Sequence, residues 1–563
     1  MQSLIDKEKQ FHLYNYIKIM LRWQIQMPLP REYYYLNIGQ AADLENPRER
    51  KIYRTLEMIP GFLAWATLLG VIGLSYFSPL ITAFFIIVFD TYWLLKTIYL
   101  SLHLRMAFKK IQQNLKIDWL RRLNELSSGV GASTFDTSLK ASELQNHDWK
   151  DIYHLILLPF YKEDYETIYQ SIASLEQANY SKNKMIIVLA AEERAGNSVL
   201  EIAEKIKNEF GDKFFQFLIT IHPQNLTGEI PGKGSNIAWA GKKAKEKIID
   251  TLKISYDKII VSAFDIDTII YPDYFSRLTY VYLNTKNPQN YSYQPVPYYI
   301  NNIWQTPALA RVVAFSATFW HSLQQERAER LTTFSSHSMP FQALVNVNFW
   351  QKNMVSEDSR IFWQCLLRHN GNYGVVPLYY PVKMDANTAP TFWQTMKNLY
   401  KQQRRWGWGV ENIPYILFGF WKNKEISVRQ KWYFSWIYIE GFWSWSTNAL
   451  IIFMLGWLPI ILGGEYFRQT ILAYNLPQIT RWLMTLSAIG IITSAYLTMV
   501  ILPPKPNEYG KRKYLLMIIQ WPLLLVTMII FGAFPGLEAQ TRLMLSGKSR
   551  LGFWVTPKQN LKI

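Results

Sequence analysis

Three clusters of acidic, aromatic and basic side chains occur along this chain in an order that suits one reaction. The clusters, and a fourth element near the C-terminal end, are Asp265-Ile266-Asp267, Glu357-Asp358, Gln402-Gln403-Arg404-Arg405-Trp406 and Phe553-Trp554-Val555-Thr556-Pro557-Lys558. Carboxylates can hold a cation or take a proton, and an arginine beside an aromatic ring can meet a phosphate and a sugar. The set predicts a site that holds a metal-bound diphosphate, deprotonates a hydroxyl and passes its product toward a bilayer.

Asp265 and Asp267 have the spacing of a shared metal site. They follow residues 258–263, an apolar stretch that we predict to be a buried strand. Carboxylates so placed can share a Mg²⁺ or Mn²⁺ ion that bridges a diphosphate, because hard cations prefer oxygen ligands. A solvated turn after the strand is the alternative interpretation.

Glu357 and Asp358 stand at the start of a predicted helix. Ser356 precedes them as the expected N-cap, and apolar residues recur at helical spacing from Ile361 to Leu366. One of the two carboxylates can act as the base for an acceptor hydroxyl, provided that it lies within hydrogen-bond reach of the proton. The alternative is that both acids only complement the helix dipole.

Gln402, Arg405, Trp406 and Gly409 recur at the spacing of one helical face. That face offers a cation for leaving phosphates and an aromatic plate for a sugar ring. Arg404 points away from it and is expected to face lipid or solvent. An amphipathic helix at a membrane interface would show the same pattern, and both interpretations can hold together.

Two further segments carry groups suited to a nucleotide. Gly232-Lys233-Gly234 opens a predicted helix, where backbone amides and the Lys233 ammonium can meet a phosphate, although short Gly-Lys loops are common. Glu192 and Glu193 end the second predicted strand, where either can accept a hydrogen bond from a ribose or a base. A solvated loop is the alternative for these two acids.

Composition narrows the class of protein. The chain has 563 residues and a formal net charge of +18, with 22 Trp, 35 Tyr and 31 Phe. The charge implies an anionic partner, and because no nucleic-acid-binding module is recognisable, lipid headgroups and a diphosphate account for it best. The aromatic content suits membrane interfaces and sugar-stacking surfaces equally. The single cysteine, Cys365, excludes an intramolecular disulfide and a cysteine-rich zinc site, and we expect it to pack on a helix.

Apolar runs flank a charged middle. Residues 59–77 and 80–102 can each cross ~30 Å of hydrocarbon, and basic residues on both sides predict a hairpin with both ends in the cytosol. Asp90 lies inside the second run, where it faces either a polar cavity or another helix. Three crossings after residue 430 would conflict with a basic, cytosolic tail, so one is expected to be interfacial or re-entrant. The later candidates, of which the last is the prime suspect, are residues 432–462, 480–502 and 514–534.

Between the apolar runs, short buried strands alternate with helices. This alternation predicts a mostly parallel sheet with helices on both faces, whose ligands bind beyond the carboxyl ends of the strands. Residues 11–25 predict a further helix, on a membrane surface or in a soluble core. The predicted strands cover residues 154–160, 184–189, 214–221 and 258–263, with a helix at residues 165–177.

Taken together, these motifs resemble those of the processive family 2 glycosyltransferases, the group of bacterial cellulose synthase and hyaluronan synthase. Members carry an acid after the second strand, then a DxD, an ED and a Gln-x-x-Arg-Trp motif, in the order found here. Further matches are residues 159–163, Lys233 with Asn236, Tyr293-Gln294-Pro295 and, most specifically, residues 553–558, which fit the gating motif Phe-x-Val-Thr-x-Lys. Residues 333–338 stand where cellulose synthases have Phe-Phe-Cys-Gly-Ser, with little likeness.

The resemblance implies a glycosyltransferase A (Rossmann-like) α/β catalytic domain inserted between α-helical transmembrane segments, with Mg²⁺ or Mn²⁺ as cofactor. It also implies roles for individual residues. They are Asp358 and Glu357 in catalysis; Glu192, Glu193, Lys233, Asp265, Gln402, Arg405, Thr556 and Lys558 in donor binding; Trp406 in acceptor binding; Asp265 and Asp267 as metal ligands; and Phe553, Val555, Thr556 and Lys558 in gating.

Two positions depart from the family pattern. The usual Asp-Asp after the second strand is Glu192-Glu193 here, which bears on the contact with a uridine. Ser356 replaces the threonine that commonly precedes the ED pair.

We therefore expect an integral protein of the inner or plasma membrane, with a cytosolic catalytic domain. It would transfer a hexose with inversion from a nucleotide sugar, UDP-hexose first, to a growing polysaccharide and export the product. One alternative is a non-processive enzyme that makes a ceramide- or polyprenyl-phosphate-type glycolipid. Another is a non-enzymatic membrane scaffold, against which the retained acids and Gln-x-x-Arg-Trp motif argue. Expected partners are the donor, a polysaccharide or lipid acceptor and membrane lipids, and no nucleic acid.

The predicted organisation has seven parts. In chain order they are an N-terminal cytosolic or interfacial region (1–57), a transmembrane hairpin (58–103), a linker (104–150), the catalytic domain (151–395), interfacial helices (396–431), a C-terminal transmembrane region (432–537) and a cytosolic gating tail (538–563).

Overall fold

The computed structural model describes residues 31–127, 148–487, 489–552 and 554. Within these ranges an α/β sheet domain is flanked in sequence by long apolar helices, as predicted. Three predictions fall wholly or partly outside the described residues: the helix at residues 11–25, residues 128–147 of the linker, and the gating residues Phe553, Val555, Thr556 and Lys558.

Eight strands form one mixed sheet in the order β3-β2-β1-β4-β7-β6-β8-β5. The pairs β3-β2, β2-β1 and β1-β4 are parallel, which confirms the predicted parallel character for the first half of the sheet. β7 lies antiparallel to both β4 and β6, and β6-β8 is again parallel. The strands are β1 (Tyr153–Phe160), β2 (Met185–Glu192), β3 (Gln216–His222), β4 (Ile259–Ala263), β5 (Ile269–Ile270), β6 (Tyr291–Tyr299), β7 (His337–Pro340) and β8 (Gly374–Met384).

The helices alternate with the strands in the centre of the chain and follow one another at its ends. In chain order they are α1 (Pro47–Phe77), α2 (Pro79–Asn114), α3 (Trp119–Ser127), α4 (Tyr165–Glu176), α5 (Asn197–Phe210), α6 (Lys233–Ala244), α7 (Tyr274–Leu283), α8 (Ala308–Gln324), α9 (Phe341–Asn346), α10 (Glu357–Arg368), α11 (Phe392–Gly407), α12 (Asn412–Lys422), α13 (Val428–Leu450), α14 (Leu458–Leu462), α15 (Gly464–Arg468), α16 (Ile471–Ser487), α17 (Ile489–Ile501), α18 (Arg512–Ile519), α19 (Leu524–Thr527) and α20 (Phe534–Leu545).

The strands β1, β2 and β4 are predominantly apolar because both faces of the sheet are covered. Leu155 and Leu157 of β1 belong to a core with helices α6 and α10, whereas Ile156 and Leu158 belong to a second core with α4, α5 and α7. Successive residues of a strand point to opposite faces, so one apolar run serves both cores. This double burial fixes the carboxyl ends of β1, β2 and β4 at one edge of the sheet.

Four helical stretches are long and apolar enough to cross a membrane: Pro47–Phe77, Pro79–Asn114, Ile471–Ile501 and Arg512–Leu545. The last of these was the prime suspect for an interfacial segment, yet it has the length and composition of a span. It is broken into shorter helices by a 3₁₀ turn at Pro522 and a π-helix at Met528–Ala533. The predicted span at residues 432–462 is not among the four and divides into α13, a π-helix and α14.

The apolar helices pack directly on the sheet domain. Leu104, Phe108 and Ile111 of α2 share one buried cluster with Phe315 of α8 and Trp521. Cys365 is fully buried on α10, as predicted for a packing residue. The sheet domain and the long apolar helices are therefore in direct contact through this cluster.

Candidate functional site

A cavity of about 750 Å³ opens at the carboxyl edge of the sheet. The predicted acids and the Gln-x-x-Arg-Trp residues meet here, although more than 130 residues separate the first from the last. The predicted site residues that line the cavity are Glu192, Lys233, Asp265, Asp267, Glu357, Asp358, Gln402, Arg405 and Trp406.

Asp265 follows β4 and is held by two side chains. Lys233, at the start of α6, places its ammonium 2.5 Å from Asp265 Oδ1, and the Ser335 hydroxyl donates to Asp265 Oδ2 at 2.8 Å. The Lys233 side chain is largely buried. A buried cation at the N-terminus of a helix, beside backbone amides, is suited to meet an anion.

Asp267 lies two residues further on and is nearly fully buried. Its Oδ2 accepts the backbone N–H of Asp385 at 3.0 Å, and Asn301 donates to the Asp267 carbonyl at 3.2 Å. Both contacts fix the turn after β4, which places the carboxylates of Asp265 and Asp267 on the cavity wall.

The acids after β4 fit a hard cation by chemical type. Asp265 and Asp267 supply carboxylate oxygens, the ligands that Mg²⁺ and Mn²⁺ prefer. No group of three or more His, Cys, Asp and Glu residues in the described ranges is placed to hold an ion alone. A divalent ion at this pair would therefore take further oxygens from a diphosphate, which is the arrangement that the sequence predicts.

Asp358 and Asp265 are joined through one residue. The backbone N–H of Ser335 donates to Asp358 Oδ2 at 2.8 Å, while the Ser335 hydroxyl contacts Asp265. Ser335 has a φ of +48°, a left-handed conformation that is uncommon for a residue with a side chain. The other oxygen of Asp358 accepts the N–H of Ser359 at 2.8 Å, so that the carboxylate is held from both sides.

Glu357 and Asp358 differ in their burial. Burial, followed by the charge of Asp358, raises the pKa of Glu357 to about 8, and Lys233 opposes the rise. Glu357 is therefore mainly protonated at neutral pH and is not available as a base there. Asp358 is only half buried, and its carboxylate lies on the cavity wall.

The surroundings shift the pKa values of Lys233 and His337 in opposite directions. Burial opposes the charge of Lys233, but the carboxylates of Asp265, Glu357 and Asp358 overcome it and raise its pKa. Burial and the charge of Lys233 lower the pKa of His337 to about 4. At neutral pH the site thus holds a charged lysine and a neutral histidine.

Gly234 allows the acid pair to approach α6. A Cβ atom at this position would lie 2.9 Å from Glu357 Cβ and 3.1 Å from the Gln351 carbonyl. The second glycine of Gly232-Lys233-Gly234 is therefore needed for packing against α10, in addition to any role for the first two residues in phosphate binding.

The helix α11 brings the third cluster to the same cavity. Trp406 packs against Tyr299 with ring centroids 6.0 Å apart. Burial raises the pKa of Tyr299, followed by the charges of Asp265, Asp267 and Asp358, whereas Arg405 opposes the rise. Tyr299 is thus within electrostatic reach of all three clusters.

Two expectations for this region were wrong. Arg404 points away from the cavity as predicted, but it pairs with Glu538 at 2.6 Å instead of facing lipid or solvent alone. Ser356 occupies the N-cap position of α10, but its hydroxyl makes no capping bond and donates to Glu411 at 2.8 Å. In both cases the side chain contacts a residue that is distant in sequence.

The acids after β2 separate in the structure. Glu192 is buried, lines the cavity and pairs with Arg194, whose guanidinium stacks 4.3 Å from the ring of Tyr161. Glu193 is exposed, accepts the Gln224 N–H at 2.9 Å and does not line the cavity. Of the two acids that the sequence predicts as donor contacts, Glu192 therefore lies on the cavity wall and Glu193 does not.

The cavity continues between the apolar helices. Lys96 of α2 pairs with Glu440 of α13 at 2.6 Å, and its ammonium lies 4.2 Å from the centre of the Trp93 ring. The Ser444 hydroxyl donates to Glu440 at 2.9 Å. Trp445 also lines this half, so its walls combine aromatic rings with a few polar groups.

Ser335 and Gln294 are site residues to which the sequence analysis gave no role. Gln294 donates from Nε2 to the carbonyls of Phe334 and Ser336 and accepts the Phe334 N–H, which fixes the strained turn around Ser335. Gln294 lies in the Tyr-Gln-Pro match, and that resemblance was the only available signal. Ser335 lies in residues 333–338, whose likeness to the family motif is poor, so the sequence gave no signal for it.

No protein-family model and no curated protein matches this sequence. Solved structures that resemble part of it include a mannosyltransferase from Pyrobaculum calidifontis in complex with GDP-Man and Mn²⁺, at 10% identity and a TM-score of 0.36. That likeness covers 71% of this chain and 98% of the other. Another is S. aureus TarS 1-349 in complex with UDP-GlcNAc, at 11% identity and a TM-score of 0.33, covering 62% and 92%. Since these scores are low, the function proposed below is supported by the geometry of the site.

Proposed function

We propose that this protein is a membrane-embedded, inverting glycosyltransferase that moves a hexose from a nucleotide sugar to an acceptor hydroxyl. The observation that carries the proposal is the convergence of Asp265, Asp267, Asp358 and Arg405 on one cavity between the sheet edge and the apolar helices. A solvated turn, a dipole-complementing acid pair and an interfacial helix would each explain one cluster, but none of them explains the convergence.

The donor would lie along the sheet edge. Glu192 would contact the nucleoside, and Lys233 and Arg405 would face the diphosphate from two sides. Asp265 and Asp267 would hold Mg²⁺ or Mn²⁺, which when bound neutralises phosphate charge and assists departure of the diphosphate. Gln402, whose Oε1 accepts Asn387 Nδ2 at 3.4 Å, would fix the same side of the donor.

Asp358 would serve as the base in a single displacement. Its carboxylate takes the proton of the acceptor hydroxyl, whose oxygen forms a bond to the anomeric carbon while the bond from that carbon to the diphosphate oxygen breaks. The nucleoside diphosphate leaves with the electron pair, and its growing charge is met by Lys233 and Arg405, which are already in place. One displacement inverts the anomeric configuration.

A growing polysaccharide is the proposed acceptor. The cavity extends past Trp406 to Trp93, Glu440 and Trp445, whose rings and polar groups suit a hydroxylated chain better than an acyl chain. A glycolipid product is the alternative. Export of the polymer through this passage and a cytosolic position of the sheet domain in the inner or plasma membrane are parts of the same proposal.

The proposed function is tested with purified, detergent-solubilised protein. It is incubated with a panel of UDP- and GDP-sugars in the presence of Mg²⁺ or Mn²⁺, and released nucleotide is measured. We expect release with at least one donor, together with a ladder or high polymer of that sugar. Formation of a single glycolipid instead of a polymer would indicate that the alternative acceptor, a lipid, is used.

Asp358→Asn provides the control in this assay, because it removes the base and keeps the shape of the side chain. Folded wild-type protein that neither binds a nucleotide sugar nor releases nucleotide with any donor would contradict the proposal. So would an Asp358→Asn variant that retains full turnover.

A further inference from the structure

The turn that carries Asp358 is held by a buried carboxylate outside the cavity. Glu411 ends the 3₁₀ helix Trp408–Glu411, directly after α11, and is 2% exposed. Its Oε1 accepts three hydrogen bonds, from the backbone N–H groups of Val355 and Ser356 at 3.1 Å each and from the Ser356 hydroxyl at 2.8 Å. One oxygen thus fixes the two residues that lead into Glu357 and Asp358.

The residues that follow Asp358 contact Asn412, the residue next to Glu411. Asn412 accepts Arg360 Nε at 2.6 Å and donates to the Ser359 hydroxyl at 3.0 Å. Arg360 is fully buried and also donates to the Glu411 carbonyl at 3.2 Å. Residues on both sides of Asp358 are therefore tied to a two-residue segment that follows the helix carrying Arg405.

Glu411 also contacts the C-terminal segment. Its Oε2 accepts Trp408 Nε1 at 2.9 Å and lies 3.9 Å from the guanidinium of Arg550. Arg550 donates to the buried carboxylate of Glu57 at 2.8 Å and to the Gly39 carbonyl at 3.1 Å. A buried carboxylate destabilises the fold unless a cation or hydrogen-bond donors compensate its charge. Arg550 is such a cation for both Glu57 and Glu411.

We infer that Glu411 is a positioning residue for the transfer reaction: it sets the Asp358 turn relative to Arg405, and Arg550 ties the segment before residues 553–558 to the same turn. The inference rests on the proposed function. Reaction rates depend steeply on such placement, since a shift of ~1 Å in a reacting group can cost ~10²-fold.

The loss of Glu411 should therefore affect turnover more than donor binding. Full-length Glu411→Gln keeps the shape of the side chain and one acceptor oxygen, but it loses the charge beside Arg550. Glu411→Ala loses all four hydrogen bonds of the carboxylate. We expect kcat to fall about tenfold in Glu411→Gln and about 10²-fold in Glu411→Ala, with the donor KM within about threefold of wild type.

Glu538→Gln is the matched control. Glu538 also joins α11 to a later helix, accepting Tyr400 at 2.9 Å, Arg404 at 2.6 Å and Arg542 at 2.7 Å, but it does not line the cavity or contact the Asp358 turn. Its loss removes a comparable set of contacts at the same helix. We expect kcat in this variant to stay within about twofold of wild type.

Hydrogen exchange in residues 354–360 gives a readout that needs no turnover. We expect faster exchange there in Glu411→Gln and in Ser356→Ala, which removes one hydrogen bond and serves as the test if the Glu411 variants do not fold. Unchanged exchange, a loss confined to donor KM, or an equal kcat loss in Glu538→Gln would overturn the inference. If the wild type transfers no sugar, the proposed function fails, whereas exchange still reports whether Glu411 holds the turn.

Discussion

The two halves of the cavity differ in how their polar groups are held. On the sheet side, Asp265, Asp358 and Lys233 are linked through Ser335 by hydrogen bonds and an ion pair of 2.5–2.8 Å. On the side of the long helices, aromatic rings dominate and Lys96–Glu440 is the main ionic contact that lines the wall in the described ranges. The first half is organised like a reaction centre and the second like a binding passage.

The difference follows from the elements that supply each wall. Strand ends buried on both faces hold side chains within narrow limits, which suits groups that must meet developing charge without rearranging. Long helices present rings along a surface, and such a surface tolerates a chain in several registers. Variants on the two sides should therefore fail in different ways.

The largest effect is expected from Asp358→Asn on the sheet side. The variant cannot take the acceptor proton, so kcat should fall about 10²–10⁴-fold, while nucleotide binding should stay close to wild type. Nucleotide release and calorimetric titration with the nucleoside diphosphate measure the two quantities. Parallel loss of both would show that Asp358 supports the fold of the site instead of the reaction.

The next largest effect is expected from Arg405→Ala. The loss of a cation aimed at the leaving diphosphate should reduce kcat about 10²–10³-fold. Arg404→Ala is the neighbouring control, because Arg404 pairs with Glu538 away from the cavity. Equal losses in the two variants would mean that the helix, and not the Arg405 charge, is responsible.

Removal of residues 553–563 tests whether the tail closes the sheet-side half, as the family resemblance implies. A deletion that starts after Gly552 keeps Arg550 and its contacts with Glu57. We expect transfer to fall about tenfold and the ratio of donor hydrolysis to transfer to rise, because water is then less well excluded. An unchanged ratio would argue against a gating role.

A smaller effect is expected from Trp445→Ala on the side of the long helices. An aromatic contact contributes ~0.5–1.5 kcal/mol, so acceptor affinity should fall up to about tenfold with kcat for donor hydrolysis unchanged. Product length, read from a gel or by mass spectrometry, should shorten. A loss of donor hydrolysis would show that the two halves are not separable in function.

The smallest effect is expected from Glu357→Gln, and it concerns pH. The pKa of Glu357 in the fold is about 8, above its ordinary value of 4.5, so the protonated group contributes stability that is full below pH 4.5 and is lost as pH rises through 8. The variant stays neutral, so its thermal stability should exceed that of the wild type increasingly above about pH 5.

The dependence of kcat on pH should also follow the titration of Glu357. Above pH 8 the wild type gains a second negative charge beside Asp358, and its kcat should decline more than that of Glu357→Gln. Identical profiles of kcat against pH for the two proteins would contradict the assigned protonation.

The sequence predicted the parts of the fold that have a regular signal. β1, β2 and β4 are mostly apolar runs, and both their type and the edge that carries Asp265 were predicted correctly. β6 and β8 were not predicted, because Pro295, Pro297 and Pro381 interrupt their patterns and the two strands pair through a register shift.

Site residues that belong to recognisable motifs could be predicted from the sequence, whereas site residues that stand alone could not. Glu192 is the last residue of β2 and is buried, whereas Glu193 begins a 3₁₀ helix and is exposed, but the sequence could not tell where the strand ends. Glu411 contacts a serine 55 residues away, and Ser335 bridges acids 70 and 23 residues away. Contacts of this kind arise from packing and leave no local pattern.

The burial of Cys365 has a practical consequence. The thiol is fully buried and its pKa is raised by burial to about 12, so it stays protonated and inaccessible to alkylating reagents at neutral pH. Because it is the only cysteine of the chain, maleimide dyes should not label the native protein. A pair of engineered thiols, one in residues 553–563 and one at the cavity rim, would test by fluorescence energy transfer whether this tail opens and closes the cavity.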